Sequence, residues 1–232
     1  MIYPPRCIGC NALVDEDHAL CPSCWRDTPF IGGMVCDACG VPLPGDDPTE
    51  RAHCDDCMAH PRPWSRGRAV ALYDGRARRI ALALKHGDRH ELARPAGRWL
   101  ARAAAPLVTP ETILAPIPLH WTRMMRRRFN QSALLSQALA RETGLRHVPD
   151  LLQRRLRTAS LDGKGREARY ATLADAIAVH PRRAGRIAGQ RILLVDDVMT
   201  SGATLSAATG ACLAAGAEEV CVIVLARVAK RA

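Results

Sequence analysis

Apolar positions along most of the chain fall into short runs and helical stripes that alternate. Residues 68–73 alternate as a strand does, and Asp74-Gly75 turns out of it. Residues 77–85 set Ile80, Ala81, Ala83 and Leu84 at helical spacing, and Gly87 closes that helix. Residues 92–105 predict a second helix, which Thr109-Pro110-Glu111 separates from a strand over 112–119 that runs into a loop at Pro116 and Pro118. Asn130 is placed to cap a helix reaching Thr143 and stopped by Gly144, with Leu134, Leu135, Ala138 and Leu139 on its core face. Leu151 and Leu152 end a short strand, residues 175–179 form another, and residues 220–226 form a last buried strand after a helix that Gly216 ends. Strands alternating with helices of these lengths predict an α/β fold built on a parallel sheet.

The most informative stretch lies near the end of that series. Residues 192–195 are a continuous apolar run, as in a strand buried on both faces of a parallel sheet. Asp196 and Asp197 follow, then a loop of small and hydroxylic residues, Thr200, Ser201, Gly202, Ala203 and Thr204, and then an alanine-rich helix over about 205–215. Ligands of open α/β sheets bind outside the carboxyl ends of the strands. A turn that opens a helix there aims unpaired N–H groups and the positive end of the helix dipole at an anion. The two acids repel a phosphate but suit sugar hydroxyls or a divalent cation. Phosphate donors beside hydroxyl acceptors describe a pocket for a ribose 5-phosphate.

Charge and cysteine usage divide the chain. Of 232 residues, 48% are hydrophobic, enough for one α/β domain and a small module. The apolar runs are too short to cross a bilayer, and the N-terminus lacks a signal-peptide stretch, so no membrane insertion and a cytoplasmic location are expected. Residues 1–60 carry three basic and ten acidic side chains, a balance of −7; residues 61–232 carry thirty and thirteen, a balance of +17. The break predicts two domains, 1–60 and 61–232, joined by the stiff Pro61-Arg62-Pro63, and the basic one should attract polyanions.

Eight of the ten cysteines form four CxxC pairs within residues 1–60: Cys7/Cys10, Cys21/Cys24, Cys36/Cys39 and Cys54/Cys57. Two residues between thiolates let a tight knuckle turn both sulfurs to one tetrahedral ion. The segment is poor in large apolar residues, so metal binding would supply the missing folding energy. A disulfide framework suits an oxidising compartment rather than the expected cytoplasm. The simplest assignment puts Cys7, Cys10, Cys21 and Cys24 on one structural Zn2+ and Cys36, Cys39, Cys54 and Cys57 on a second; the spacing also permits crossed pairing. Eight thiolates fill two closed sites without His18, His53 or His60. Cys212 and Cys221 sit in apolar settings and read as inert core thiols.

Two basic segments remain. Arg123, Arg126, Arg127 and Arg128 cluster just before Asn130, where guanidinium groups would match phosphate oxygens. Residues 153–170 are long, basic and glycine-containing, as a lid over a charged site would be.

The run from Leu193 to Thr204 resembles the phosphoribosyl pyrophosphate (PRPP) motif of type I phosphoribosyltransferases. The resemblance implies that Asp196 and Asp197 hold ribose hydroxyls, that residues 200–204 wrap the 5-phosphate, that Mg2+ accompanies PRPP, and that the loop carrying Arg126, Arg127 and Arg128 faces pyrophosphate or DNA. The whole chain resembles the ComF family through the four CxxC pairs, Tyr73-Asp74-Gly75, Leu84-Lys85-His86-Gly87, Pro116-Ile117-Pro118-Leu119, Arg128-Phe129-Asn130-Gln131-Ser132 and Arg157-Thr158-Ala159-Ser160. That likeness implies a double zinc ribbon before a type I phosphoribosyltransferase-like domain, a Rossmann-like parallel sheet with flanking helices. It also implies a role with single-stranded DNA, and with the DNA-uptake machinery, in natural transformation. Two positions depart from the family pattern: Leu161 stands where many relatives carry Gln, and Arg128 where many carry Gly. The alternative reading is an active phosphoribosyltransferase that moves ribose 5-phosphate from PRPP to a nitrogenous base; no catalytic residue is assigned.

Overall fold

The computed structural model describes residues 4–45, 47, 51–86, 89–120, 125, 128–155 and 176–229. The expectations for Arg123, Arg126, Arg127, Gly87 and residues 156–175, which include most of the basic 153–170 segment, lie outside the described residues. In chain order the elements are the single-turn helices α1 (Pro22–Arg26) and α2 (Asp55–Ala59), then β1 (Arg66–Leu72), α3 (Gly75–His86), α4 (Ala93–Ala104), β2 (Ile113–Pro116), α5 (Gln131–Thr143), β3 (Arg146–His147), β4 (Leu152–Arg154), β5 (Ile177–Val179), β6 (Arg191–Met199), α6 (Ala203–Ala214) and β7 (Glu219–Arg227).

Five strands make one parallel sheet in the order β1-β7-β6-β2-β3, and β4 and β5 pair antiparallel beside it. The pleat explains the unbroken apolar runs. Alternate residues of β6, Ile192 and Leu194, join Val220, Val222 and Val224 of β7 in a core on one face. Their neighbours Leu193 and Val195 join Cys221, Ile223 and Leu225 in a core on the other. The first face is covered by Leu205, Ala208 and Cys212 of α6. The second is covered by Ile80 and Leu84 of α3, Leu100 of α4, and Leu135 and Leu139 of α5. Burial pushes the Cys212 thiol up to about 12 and, with the charge of Glu219, that of Cys221 to about 11, so both are unreactive core sulfurs.

The cysteine-rich segment does not stand apart from this core. Cys36, Ala38, Cys39 and Cys57 pack with Trp64 on the α6 face. Ile31 N–H donates to Val70 O at 2.9 Å and Leu72 N–H to Pro29 O at 2.9 Å, so Phe30 pairs antiparallel with Ala71 on the open edge of β1. Asp37 sits inside the third CxxC and accepts from Arg66 Nε at 3.1 Å and Arg68 Nη2 at 2.7 Å, both from β1. A Cβ on Gly67 would fall 2.4 Å from Ala38 O, so only glycine lets the knuckle lie this close to the strand.

The local signals for α5 are met. Asn130 Oδ1 accepts from Ser132 N–H at 3.0 Å, and Gly144 ends the helix at φ 70° with its N–H on Ala140 O. Several boundaries differ from expectation. Strand β1 begins at Arg66, where it meets Cys221 of β7, and β7 begins at Glu219 because β6 pairs with it from Arg191 onward. Gln153 and Arg154 belong to β4, where they pair with Ala178 and Ile177, rather than to the basic segment after it. The two-residue β3 is too short to leave a pattern in the sequence.

Candidate functional site

The acid pair lies within β6, not beyond it. Asp196 pairs with Val224, Val198 with Ala226 and Met199 with Arg227, so partnership with β7 carries the strand four residues past the apolar run. Helix α6 starts at Ala203 and ends at Ala214. Ala203 and Thr204 therefore form its first turn, and the connecting loop shrinks to Thr200, Ser201 and Gly202. Gly202 occupies the cap position at φ 84°, where a side chain would be strained. Ser201 Oγ accepts from Ala203 N–H at 3.4 Å.

The acids meet the first turn of α5. Asn130 Nδ2 donates to Ile117 O at 2.9 Å and ties that turn to the end of β2. Ser132 Oγ donates to Asp196 Oδ1 at 2.7 Å, and Gln131 Nε2 to Asp197 Oδ2 at 3.2 Å. Each carboxylate also accepts the next backbone N–H, Asp197 N to Asp196 Oδ1 and Val198 N to Asp197 Oδ1, both at 2.9 Å. The positive end of the α5 dipole lies beside both acids. Burial, followed by the charge of Asp197, still pushes Asp196 up to about 8 against the donors from Ser132 and Asp197. Further hydroxyl donors or a cation beside Asp196 would favour its charged form.

Behind the loop lies Arg227, 6% exposed, whose Nη1 donates to Thr200 O at 2.6 Å and Met199 O at 3.3 Å. Sequence reasoning missed Gln131, Ser132 and Arg227 as parts of this site. The first two stood in the sequence just after a helix cap and within the Arg128-Phe129-Asn130-Gln131-Ser132 motif, but nothing there tied them to the acids. Of the candidate phosphate contacts, only Arg128 is described: it is exposed, with φ 64°.

The cysteines gather as the sequential pairs predict. The sulfurs of Cys7, Cys10, Cys21 and Cys24 lie within 4.8 Å of one another, and so do those of Cys36, Cys39, Cys54 and Cys57; neither group includes a histidine. In each cluster one sulfur, Cys7 or Cys36, is drawn toward the thiolate, while burial pushes Cys24 up and the bond with Cys36 pushes Cys39 up. Burial would raise Cys7, but N–H groups of Cys21, Gly9 and Cys10 outweigh it and bring the thiol to about 6. Bonds from Cys39 and Cys57 hold Cys36 well below the ordinary thiol range. Two closed four-cysteine sites with N–H donors on sulfur fit tetrahedral zinc in a structural role.

A parallel sheet that carries an acid pair, a short loop and a helix N-terminus at its carboxyl end, attached to two four-cysteine knuckle sites, defines a phosphoribosyltransferase-type domain joined to a double zinc ribbon. Residues 1–58 match the double zinc ribbon domain, and residues 134–232 match the phosphoribosyl transferase domain. The chain is 32% identical over 238 residues to the DNA utilization protein YhgH of Salmonella typhimurium, covering 98% of this chain and 99% of that one. It is 30% identical over 236 residues to the Escherichia coli protein of the same name, with the same coverage. It is 28% identical over 229 residues to Competence protein F of Haemophilus influenzae, covering 96% of each. The chain belongs to the ComF family of competence and DNA-utilization proteins. No helix among the described residues is long and apolar enough to cross a membrane.

Proposed function

We propose that this protein binds PRPP with Mg2+ at Asp196, Asp197 and residues 200–204, and handles single-stranded DNA in the cytoplasm during DNA uptake. The observation that carries the reading is the meeting, at the end of β6, of a half-buried Asp196 and a buried Asp197 with a glycine-capped helix N-terminus. The carboxylates would take the ribose hydroxyls, and the N–H groups and hydroxyls of the loop would take the 5-phosphate. Mg2+, held with the pyrophosphate near the acids, would neutralise its charge. The balance of +17 over residues 61–232 supports the DNA half, as do the names of relatives, DNA utilization protein and Competence protein F. Domain limits of 1–60 and 61–232 belong to the same proposal.

Calorimetric titration with PRPP and Mg2+ tests the first half. Wild type should bind and the Asp196→Asn, Asp197→Asn double variant should not; equal binding by both overturns the assignment. Single-stranded DNA binding across a salt series tests the second. If Arg126, Arg127 and Arg128 each contact a phosphate, changing all three to Ala should flatten the logarithmic salt slope by about two. Failure to bind single-stranded DNA at low salt, combined with pyrophosphate release from PRPP and a nucleobase, would favour the enzyme instead.

A further inference from the structure

Arg62 lies between two prolines in the segment that joins the cysteine knuckles to β1, yet its side chain is only 1% exposed. Its guanidinium faces three ways. Nη2 donates to Asp56 Oδ2 at 2.6 Å, Nε to Cys57 Sγ at 3.4 Å, and Nη1 to Ser201 O at 2.7 Å. The group lies 5.8 Å from the ring centre of Trp64. Trp64 Nε1 donates to Ala38 O at 2.6 Å, inside the Cys36–Cys39 knuckle, and a Cβ on Gly202 would come within 2.9 Å of the same ring. Both knuckles of the second cysteine cluster thus reach the loop through two neighbouring side chains.

On the loop, Arg227 holds the carbonyls of Met199 and Thr200, and Arg62 holds that of Ser201. Three successive carbonyls are anchored from the protein side. Because each peptide unit is planar, anchoring these carbonyls also fixes the direction of the N–H group that follows each of them.

We propose that Arg62 is a positioning residue that couples metal occupancy of the Cys36, Cys39, Cys54 and Cys57 site to the geometry of the loop of residues 200–202. The ligand consequence rests on the reading of that loop as an anion site; the coupling itself does not. With a metal in the cluster, Cys57 is a fixed thiolate and the turn carrying Asp56 is fixed with it. A planar guanidinium held on two edges has its third edge set, and that edge carries Ser201. When the metal leaves, the Asp56–Cys57 turn loses its anchor, and the loop loses one charged hydrogen bond. A lysine cannot hold three acceptors in one plane.

Amide hydrogen exchange of the full-length protein, with zinc content measured in parallel, tests this without any ligand. Arg62→Ala with both metal sites filled should exchange at residues 201–205 about tenfold faster than wild type, as expected for a lost charged hydrogen bond. Stripping zinc from wild type should speed the same amides, and stripping it from Arg62→Ala should add nothing further there. Arg62→Lys, which keeps the charge, should fall between them, and it carries the test if Arg62→Ala fails to fold or loses zinc. Unchanged loop exchange in a zinc-filled variant overturns the proposal, as does an equal zinc effect with and without Arg62. PRPP affinity should fall by about tenfold in step. If wild type does not bind PRPP at all, the exchange data still decide the coupling, and only the ligand reading fails.

Discussion

Ser132 Oγ donates to Asp196 Oδ1 across 2.7 Å, joining the first turn of α5 to the carboxyl end of β6. The two residues are far apart in the chain, and each is placed by a separate device. Asn130 sets the start of α5, and pairing with β7 keeps Asp196 inside the strand. The contact fixes one oxygen of a carboxylate that burial and Asp197 hold near a pKa of about 8.

This carboxylate should leave a signature in stability against pH. The folded state holds the Asp196 proton more tightly than the unfolded chain does. Its contribution is therefore full below the ordinary carboxylate range and is lost as pH rises through about 8. Relative to wild type, Asp196→Asn should gain melting temperature progressively between those limits. Parallel melting curves across the range, with no change in the difference, would show that the acid is not buried as described.

The two metal sites should differ in what their loss does. Elemental analysis should give two zinc ions per chain. Cys36 packs with Trp64, Val222 and Val224 in a core of the sheet, whereas Cys7 lies outside both sheet cores. Cys36→Ser should lower the main melting transition, and Cys7→Ser should lose one zinc while leaving that transition nearly in place. Equal effects on the main transition would contradict this placement.

Asp37 should anchor the knuckle to the sheet. Arg66 and Arg68 overcome the cost of its burial and hold its carboxyl below the ordinary range. Its contribution is present above the ordinary carboxylate pKa and is lost as pH falls through the lowered value. Asp37→Ala leaves two arginines facing a buried gap and should cost on the order of 3 kcal/mol in denaturant unfolding at neutral pH. A cost below about 0.5 kcal/mol would place the pair among surface contacts.

Arg128 adopts φ 64°. The left-handed conformation costs a non-glycine residue roughly 1–2 kcal/mol. Arg128→Gly should therefore be neutral or stabilising by up to about 1 kcal/mol, once the greater freedom of unfolded glycine is counted. The same variant should bind single-stranded DNA with a shallower salt dependence. Clear destabilisation on chemical unfolding would mean that the arginine makes a contact worth more than its strain.

Gly202→Ala should act on the loop rather than on the fold. The new Cβ meets both an unfavourable φ of 84° and the Trp64 ring. PRPP binding should fall by tenfold or more while the melting temperature drops only a few degrees, a shift of about 1–2 kcal/mol. Unaltered PRPP affinity in a folded variant would separate the loop from the ligand.

What could be read in the sequence was local. Asn130 and Gly144 mark α5 because caps act within one turn, and the CxxC spacing marks the sulfur sites because a knuckle is four residues long. Asp196 and Asp197 look like residues that end a strand, and only the register with β7 shows that they do not. Arg62 reads as part of a stiff linker because its partners Asp56 and Ser201 lie 6 and 139 residues away, and no periodicity connects them. Ser132 and Gln131 look like ordinary first-turn residues until the fold brings the acids to them.

Strand order also constrains how the molecule is made. Strand β1 is the first of the sheet to leave the ribosome, and among the described residues its only neighbour within the sheet is β7, the last. Until residues 219–227 emerge, β1 and the knuckles resting on it have no sheet to join, while β6 and β2 can already pair. Metal capture at the cysteines should therefore precede closure of the sheet during synthesis. Nascent chains halted before residue 219 should carry zinc yet remain open to proteolysis at β1.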